Sequence, residues 1–486
     1  MNIKIRKIIK NNYIYIITAF FFITIISKLS PLYPLNDWCD TNSFFTMGKA
    51  MFRGVSIYKD LFEQKGPFLY LIYGIGYFIS NKNFFGVYLL EILSFTTFLK
   101  IVGQVLILAK IKQKKTFIVI FTAIITTSLS FYSGGSAEEF CLPFIAYCIY
   151  LLFKMHNGIE LNAKELLING ICCGLVLLIK FNLVCFWFGF IIICIICYKK
   201  NHLMKKGLNF VLGVIIPVTL FLIYFTCIKS TIEFVDAYFI KNTLNYNNIK
   251  IGFVSSIEKL LDGTIYFLTP GFGFIKNILL TTTCLISFIY AKKRKVLLKT
   301  LLVFIFPYIL ICCQNNWYKY YNLPFTVFSI FGLIYLFEKE IFNNALMKTI
   351  TTIMIIGLFI IGENSYVLIS SKEDYAQYKL AKIIEQYEDQ SILNYGIIDQ
   401  GLYLRTDKIP NIKYYHTMNF SNFKEMTTAQ KEYIKNKKTN FIVCCSTTKE
   451  DNCNLYDKNM QKNYKLIAKE RHYKDYGLYY YLYIKK

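Results

Sequence analysis

Long apolar runs limit what this chain can fold into more than any other feature of its sequence. Eleven of them occur, separated by polar segments. Most approach the roughly 20 helical residues that cross the hydrocarbon core of a bilayer. The runs lie at residues 13–29, 84–109, 116–132, 140–153, 166–179, 183–198, 208–228, 272–290, 300–313, 323–337 and 349–361. The pattern predicts an α-helical polytopic membrane protein with about eleven transmembrane helices, and it excludes an ordinary soluble or disordered chain.

The composition agrees with a chain that is solvated largely by lipid. Of the 486 residues, 55% are hydrophobic and 17% are charged, whereas soluble proteins carry about 25% charged residues. The formal net charge is +25, a balance that can also indicate nucleic-acid binding. The densest basic clusters, however, lie between apolar runs, at residues 4–10, 110–115, 199–206 and 292–299. Cytoplasmic loops of polytopic proteins carry such clusters, so we expect membrane lipid, and no nucleic acid, as a partner.

The basic clusters also orient the chain. The first run follows a basic segment and has no small-residue cleavage site, so we interpret it as a retained span with a cytoplasmic N-terminus. Eleven spans then place the C-terminus outside the cell membrane. The segment at residues 68–80 is apolar but only about thirteen residues long, and counting it as a span would put the basic clusters outside. We therefore expect it to be interfacial or re-entrant.

A change of composition near residue 362 divides the chain into a membrane domain, residues 1–362, and a C-terminal domain, residues 363–486. The second part is rich in charged residues and tyrosine. Its β-like runs lie at residues 391–398, 440–445 and 476–484. They predict a small extracytoplasmic α/β or α+β domain. The cysteines of this part are Cys444, Cys445 and Cys453, which leaves a disulfide open there.

The first outer loop, residues 31–66, is the most informative stretch. If residues 44–53 form a helix, residues 44, 45, 48, 51 and 52, which are apolar or small, fall on one face. The polar residues Thr46, Lys49 and Arg53 fall on the other face. This pattern predicts a short amphipathic helix in the membrane interface.

Acidic and basic side chains flank this helix in the same loop. The acidic ones are Asp37, Asp40, Asp60 and Glu63. The basic ones are Lys49, Arg53 and Lys65, followed by the turn Gly66-Pro67. A loop with solvated charges is the simplest reading, but carboxylates and cations that converge beside a bilayer favour a functional site.

These residues carry a resemblance to a known family. The pattern Asp40–Phe44, Gly48–Met51 and Tyr58–Pro67 resembles the first outer loop of GT-C membrane glycosyltransferases. The nearest groups are the protein O-mannosyltransferase-like and aminoarabinose-transferase-like enzymes, in particular their bacterial cell-surface relatives. The resemblance implies a polyprenyl-phosphate sugar donor, transfer on the outer face of the membrane, and a first-loop aspartate as base.

Two weaker motifs belong to the same resemblance. The turn at residues 134–143 contains Glu138 and is similar to an acidic turn before the fourth span of the family. Lys180, between the fifth and sixth predicted spans, lies at the outer membrane face, where it is either a snorkelling anchor or a phosphate ligand. The sequence departs from many relatives at Thr41, where they have glutamate, and at Gly66, where they have proline. The identity of the acceptor therefore does not carry over.

The chemistry of such a transfer assigns roles to these residues. A carboxylate must take a proton from the acceptor hydroxyl, and we expect Asp40 to do so, with Asp37 as the alternative base. Cations must hold the departing phosphate. The candidates for this are Lys65, Arg53 and Lys180. Direct displacement by the acceptor would invert the anomeric centre.

For the other candidate site residues, more than one role fits the sequence. Glu63, Asp60 and Glu138 could bind sugar hydroxyls, orient a lysine or hold a divalent cation, so the cofactor requirement stays open. Tyr318 belongs to an aromatic cluster that is typical of a membrane belt, and the resemblance also allows it to contact the sugar.

We therefore expect a membrane glycosyltransferase that moves a sugar from a polyprenyl-phosphate donor to a cell-surface glycan, glycolipid or protein. The alternatives are a polytopic polysaccharide or lipid transporter or flippase, and a surface-polysaccharide polymerase. A transporter would carry charged groups near mid-membrane and repeated halves. A polymerase would have an arginine-rich later loop, but residues 229–270 contain no arginine.

Overall fold

The computed structural model describes residues 3–198, 200–244, 253–268, 274–314, 316–343, 345–360, 362, 364–418, 423–446, 458–472 and 478–486. Within these residues the chain is mostly helical. The α-helices are α1 (Ile3–Ile26), α2 (Cys39–Phe52), α3 (Pro67–Ile79), α4 (Phe85–Leu108), α5 (Lys114–Thr126), α6 (Ala137–His156), α7 (Ala163–Leu177), α8 (Cys185–Cys197), α9 (Lys200–Cys227), α10 (Thr231–Val235), α11 (Asn242–Leu244), α12 (Phe253–Leu268), α13 (Phe274–Lys293), α14 (Leu297–Cys312), α15 (Thr326–Glu338), α16 (Ala345–Ile360), α17 (Ala376–Ile384), α18 (Leu402–Thr406), α19 (Lys424–Lys435) and α20 (Lys458–Asn463).

The chain forms two compact units, which we describe separately. Unit 1 comprises residues 1–32, 89–221 and 250–368, and unit 2 comprises residues 33–88, 222–249 and 369–486. The predicted division at residue 362 follows composition, whereas these units follow packing. In unit 2, the first outer loop and the segment 222–249 group with the C-terminal part of the chain.

Each of the eleven apolar runs corresponds to a helix, namely α1, α4–α9 and α13–α16. Among the residues that the structure describes, four helical segments are long and apolar enough to span a membrane: Phe85–Leu108, Ala137–His156, Met204–Cys227 and Lys319–Glu338. Several shorter apolar helices accompany them. The predicted fold class, an α-helical polytopic membrane protein, is confirmed. Some helices extend past their apolar run, as α9 does by beginning at Lys200, because backbone hydrogen bonding continues through the polar residues that hydropathy leaves out.

Close helix crossings in unit 1 depend on small residues. The backbone of Gly170 in α7 lies against that of Gly213 in α9, and a methyl group at either position would meet backbone atoms. The same holds for Gly189 of α8 against Leu302 of α14, and for Gly332 of α15 against Thr283 of α13. Lipid provides no hydrophobic force between helices, so such close packing is a main source of association in a membrane.

In unit 2, the predicted helix of the first outer loop is present as α2, and the short apolar segment after the loop is α3. Ten of the fourteen residues of α2 are buried. Phe44 of α2 packs edge-to-face on Tyr73 of α3, with ring centroids 5.5 Å apart. The predicted apolar face of α2 is therefore covered by α3. The position of the two helices relative to the bilayer stays a prediction.

A four-stranded sheet completes unit 2. Its strands are β1 (Ile392–Asn394), β2 (Phe441–Ser446), β3 (Tyr464–Arg471) and β4 (Tyr479–Lys485). They lie in the order β1-β2-β4-β3, with β1 and β2 parallel and the other pairs antiparallel. The sheet agrees with the prediction of a small α/β or α+β domain in the C-terminal part of the chain. The sequence pattern missed β3, because this edge strand mixes charged and apolar residues and has a register shift between Leu466 and Ala468.

The crossing of α2 and α3 generates a first prediction. A Cβ atom at Gly48 would lie 2.5 Å from the amide nitrogen of Gly74 and 2.6 Å from the carbonyl oxygen of Tyr70. Backbone atoms cannot yield as a flexible side chain does, so we expect Gly48→Ala to destabilise the protein by about 1–3 kcal/mol. Thermal unfolding in detergent, followed by circular dichroism, measures the loss.

Gly207→Ala is the matched control for this substitution. Gly207 is also helical, but a Cβ atom there would have nothing within 4 Å. Alanine has the higher helix propensity, so the control should leave the melting temperature unchanged or raise it slightly. Equal melting temperatures for the two variants would contradict the proposed close crossing.

Candidate active site

The first turn of α2 presents Asp40. A carboxylate in this position is favoured by the partial positive charge of a helix N-terminus. The thiol of Cys39 donates to Asp40 Oδ1 over 3.8 Å, and burial together with the neighbouring carboxylate raises the thiol pKa well above its ordinary value. The turn is fastened by Asn42, whose side-chain amide donates to the carbonyl oxygens of Asn36 (3.0 Å) and Trp38 (2.9 Å). Asp40 is half-buried on a well-braced helix start.

The other end of α2 carries Arg53. The helix stops there because Gly54 adopts a left-handed conformation, with φ +77°. The Gly54 amide then donates to Met51, and the following amide donates to Ala50, as in a Schellman motif. The Arg53 guanidinium lies 2.9 Å from Asp407 and donates to the Tyr77 hydroxyl at 2.8 Å. Thirteen helical residues put it about 20 Å along the axis from Asp40.

Lys65 lies in a turn whose backbone is held by side chains. Its amide donates to Glu63 Oε2 at 2.8 Å, and its carbonyl oxygen accepts from the Tyr58 hydroxyl at 2.6 Å. The Tyr70 hydroxyl also donates to Glu63. Tyr58 has φ +69°, a backbone conformation that a tyrosine holds only where its surroundings enforce it. The main chain at Lys65 is thus fixed by three buried side chains.

Asp40, Glu63 and Lys65 form one charged group in unit 2. Burial raises the pKa of the Glu63 carboxyl, the Lys65 ammonium lowers it, and the Asp40 carboxylate raises it. The Lys65 Nζ also lies 5.7 Å from the ring centroid of Phe44. Phe44 is one helical turn beyond Asp40, on the same face of α2. Two predicted site residues, the base and a phosphate ligand, are therefore on one side of the helix start.

The other first-loop carboxylates have separate surroundings. Asp37, the alternative base, has its Oδ2 atom 3.4 Å from Nε2 of His472 in the C-terminal part of the chain. Asp60 is exposed and accepts from the amide of Ser56 at 3.3 Å. It therefore closes a local turn, and we place it outside the group of Asp40, Glu63 and Lys65.

The polar face of α2 contacts the C-terminal segment 399–416. The Thr46 hydroxyl donates to Asp399 Oδ2 at 2.6 Å, and Ser43 Oγ lies 3.4 Å from Nδ1 of His416. The Lys49 ammonium donates to the carbonyl oxygen of Tyr403 at 2.6 Å. All of these side chains are fully or almost fully buried. The sequence did not indicate Asp399 or His416, because a single aspartate and a single histidine have no local signature.

Burial shifts the pKa values of these groups toward their neutral forms. It lowers the pKa of Lys49 to about 7, although Asp407 raises it in part. Burial also raises the pKa of Asp399, whereas the hydrogen bond from the Thr46 hydroxyl lowers it in part. Burial lowers the pKa of His416 to about 3. The amide of Asp399 donates to Nδ1 of His416 at 3.4 Å, so the neutral ring carries its proton on Nε2.

In unit 1, the two weaker motifs of the sequence meet. The Lys180 ammonium forms an ion pair with Glu138 and lies 4.1 Å from the ring centroid of Tyr321. Tyr318 stacks on Tyr320, with centroids 5.7 Å apart, and contacts Tyr321 edge-to-face. Glu138 is thus paired with a lysine, and its predicted role in orienting that lysine stays a prediction. A cation over an aromatic ring gains about 0.5–2 kcal/mol, depending on solvent exposure.

The turn before α6 explains why Glu138 lies where it does. Gly134 and Gly135 have φ +79° and +74°, which other residues adopt only with strain. Ser136 then caps α6, since its hydroxyl accepts from the amide of Glu139 at 3.0 Å. The first turn of α6 carries Glu138 and Glu139, a favourable position for carboxylates.

Glu91 and Glu139 form a buried acidic pair in unit 1. The amide of Gly135 donates to Glu139 Oε2 at 2.8 Å and to Glu91 Oε1 at 3.1 Å. The Ser27 hydroxyl donates to Glu91 at 2.8 Å. Lys100, which shares α4 with Glu91, is exposed. Glu91 is therefore held by the turn before α6 and by the end of α1.

Within the part of the chain that the structure describes, no group of three His, Cys, Asp or Glu side chains has the geometry to hold a metal ion. Of the predicted site residues, Asp40, Glu63 and Lys65 come together in unit 2, and Glu138, Lys180 and Tyr318 come together in unit 1. Asp37, Arg53 and Asp60 have other partners.

The buried imidazole of His416 generates a prediction on acid stability. Its pKa is about 3 in the folded protein and about 6.5 in an unfolded chain. Below pH 6.5 the unfolded chain takes up a proton that the folded chain excludes, so wild-type stability should fall relative to His416→Gln as the pH decreases from about 6.5 to 4. Melting temperatures of both proteins across this range measure the difference. Parallel curves would show that His416 titrates normally.

The comparisons with known proteins bear on the fold. No known protein family matches this chain, and no curated protein matches it. Two solved structures of ArnT from Cupriavidus metallidurans are similar to it. The apo structure has a TM-score of 0.62 at 10% identity and covers 96% of each chain. The structure bound to undecaprenyl phosphate has a TM-score of 0.61 at 11% identity and covers 98% of each chain. The chain therefore has the polytopic fold of ArnT over nearly its whole length, as the resemblance of its first outer loop to GT-C enzymes predicted.

Proposed function

We propose that this protein is a membrane glycosyltransferase that moves a sugar from a polyprenyl-phosphate donor to an acceptor hydroxyl. The observation that carries the proposal is the charged group of Asp40, Glu63 and Lys65 at the start of α2. It combines a carboxylate that can accept a proton with a cation that can bind phosphate. The ArnT fold supports the proposal, and one of the ArnT structures holds undecaprenyl phosphate.

In the proposed reaction, Asp40 takes the proton of the acceptor hydroxyl while the oxygen of that hydroxyl attacks the anomeric carbon of the donor sugar. The bond between that carbon and the phosphate oxygen breaks, and the electron pair leaves with the polyprenyl phosphate. A single displacement of this kind inverts the anomeric centre. The leaving phosphate gains negative charge during the step, so a fixed cation stabilises the transition state more than the bound donor.

Lys65 is our first candidate for that cation, and Lys180 is the second. Each is half-buried and has a carboxylate partner. Glu63 fixes the Lys65 backbone through the amide bond at 2.8 Å, and Glu138 pairs with the Lys180 ammonium. We infer that these glutamates orient the lysines. Arg53, which is paired with Asp407 at the far end of α2, then has a structural role.

We also propose that the first outer loop and the C-terminal domain lie on the extracytoplasmic side, where a cell-surface glycan, glycolipid or protein would be the acceptor. The basic loops between the apolar runs support this orientation. Cys444 gives independent support, because it is disulfide-bonded. Structural disulfides persist mainly in oxidising compartments outside the cytosol.

The alternative, transport of a lipid or polysaccharide, has one observation in its favour. Glu91 and Glu139 are buried carboxylates within the helices of unit 1, and intramembrane charges often mark a transport pathway. A transporter moves its substrate without breaking a covalent bond. Release of free polyprenyl phosphate from a labelled donor therefore separates the two functions.

Asp40→Asn tests the proposed base. The amide keeps the size of the side chain but cannot accept the proton, so sugar transfer should fall by about 10²–10⁴-fold. The assay offers the purified protein in lipid nanodiscs a panel of synthetic polyprenyl-phosphate sugars and follows release of polyprenyl phosphate. Asp60→Asn, an exposed carboxylate of the same loop, is the matched control and should keep wild-type activity. Equal activity of Asp40→Asn and wild type would remove Asp40 from this role.

Lys65→Ala tests the phosphate ligand. A hydrogen bond to a charged group contributes about 1.5–3 kcal/mol, so the affinity for polyprenyl phosphate, the leaving group of the donor, should fall by about ten-fold to a hundred-fold. Binding of polyprenyl phosphate to the protein in nanodiscs, measured by competition against a labelled lipid phosphate, reports this loss. Lys59→Ala is the control, since Lys59 is an exposed lysine of the same loop. Unchanged binding by Lys65→Ala would assign the phosphate to another cation.

A further inference from the structure

We propose that Asp399 and His416 are positioning residues for the base Asp40, which they hold by fixing the polar face of α2. The inference rests on the proposed function and extends it to the C-terminal part of the chain. Neither residue touches the reacting groups in this proposal. They act through the helix that carries Asp40.

The contacts follow the helix in register. Ser43, Thr46 and Lys49 are spaced three residues apart, so they share one side of α2. They meet His416, Asp399 and the backbone of Tyr403, respectively. The shortest bonds are those of Thr46 and Lys49, both 2.6 Å. Three successive turns of the helix thereby lie against one segment of the C-terminal domain, and the bonds of Thr46 and Lys49 attach two of these turns directly.

Asp399 is the centre of this attachment. Its Oδ2 atom accepts from the Thr46 hydroxyl, and its Oδ1 atom accepts from the amide of Gly401 at 2.9 Å. Gly401 has φ +88°, and a Cβ atom there would lie 2.8 Å from Oδ1 of Asn42. Asn42 in turn braces the first turn of α2. The Asp399 carboxylate thus binds the middle of α2 directly, through Thr46. It also binds the amide of Gly401, which lies close to Asn42 near the N-terminus of the helix.

The polar face of α2 can be buried only where its polar groups find hydrogen-bond partners. Burying a hydroxyl or an ammonium costs several kcal/mol unless it is hydrogen-bonded. The partners in segment 399–416 remove that cost only in one register and orientation of α2. A hydrophobic contact of the same area would allow the helix to slide or rotate. A base must be held within about an ångström of its working position, since a misplacement of that size can cost a hundred-fold in rate.

The substitution Thr46→Val removes the hydroxyl bond with little change in shape. We expect the turnover rate of sugar transfer to fall by about ten-fold to a hundred-fold, while the KM for the polyprenyl-phosphate donor stays at the wild-type value. Thr46→Ser keeps the hydroxyl and should restore the rate. Thr406→Val is the matched control, because the buried Thr406 hydroxyl donates only within its own short helix, to Leu402 at 2.9 Å.

A double-mutant cycle links the two ends of the bond. If Asp399 acts on the rate through Thr46, the pair Thr46→Val and Asp399→Ala should lose little more activity than Asp399→Ala alone. Hydrogen–deuterium exchange of the amides in α2 provides a readout that does not depend on activity. It should rise in both single variants and stay at the wild-type level in Thr406→Val.

The outcomes separate this inference from the proposed function. A wild-type protein that transfers sugar, together with unchanged exchange in α2 and additive losses in the cycle, would overturn the positioning role and leave the function intact. A loss of rate in proportion to the loss of melting temperature, in the control as well, would also overturn it. If the wild type transfers no sugar, the proposed function fails, and the exchange data still show whether segment 399–416 holds α2.

Discussion

The burial of α2 on both of its faces is the constraint on which the candidate site in unit 2 depends. Its apolar face packs on α3 through the close contact of Gly48 with Gly74. On its polar face, the buried side chains of Thr46 and Lys49 donate hydrogen bonds to the C-terminal part of the chain. The position of Asp40 therefore depends on residues that are more than 350 positions away in the sequence.

The sequence predicts those parts of the structure that are determined locally. An apolar run of bilayer length specifies its helix with little help from other segments, since every backbone group must be satisfied within the helix. All eleven runs became helices for this reason. The amphipathic pattern that predicted α2 is local too. The limits appear where a charged stretch continues a helix, as at Lys200, and where an edge strand such as β3 alternates poorly.

The sequence could not identify the partners of the charged residues. Glu63 and Lys65 are close in the chain, but their proximity does not predict that the Glu63 carboxylate accepts from the Lys65 amide. The hydroxyl groups of the buried Tyr58 and Tyr70 hold this arrangement by hydrogen bonds to the Lys65 carbonyl oxygen and to Glu63, respectively. Glu138 and Lys180 belonged to two separate motifs, and only the packing of α6 brings them together. Asp399 and His416 gave no signal at all, because one aspartate and one histidine in a charged region resemble many others. Long-range pairing of polar groups is decided by tertiary packing and not by local pattern.

The charges of the candidate site suit a reaction in which negative charge grows on a phosphate. A sugar linked to polyprenyl phosphate is a diester with one negative charge, and the released monoester has up to two. Lys65 lies among carboxylates before the donor arrives, and burial raises the pKa of Glu63. Asp40 lies in the first turn of α2, where the partial positive charge of a helix N-terminus favours a carboxylate. The two carboxylates differ in burial, since Glu63 is buried and Asp40 is half-buried, and in the proposed reaction the buried one orients Lys65 while the half-buried one accepts the proton.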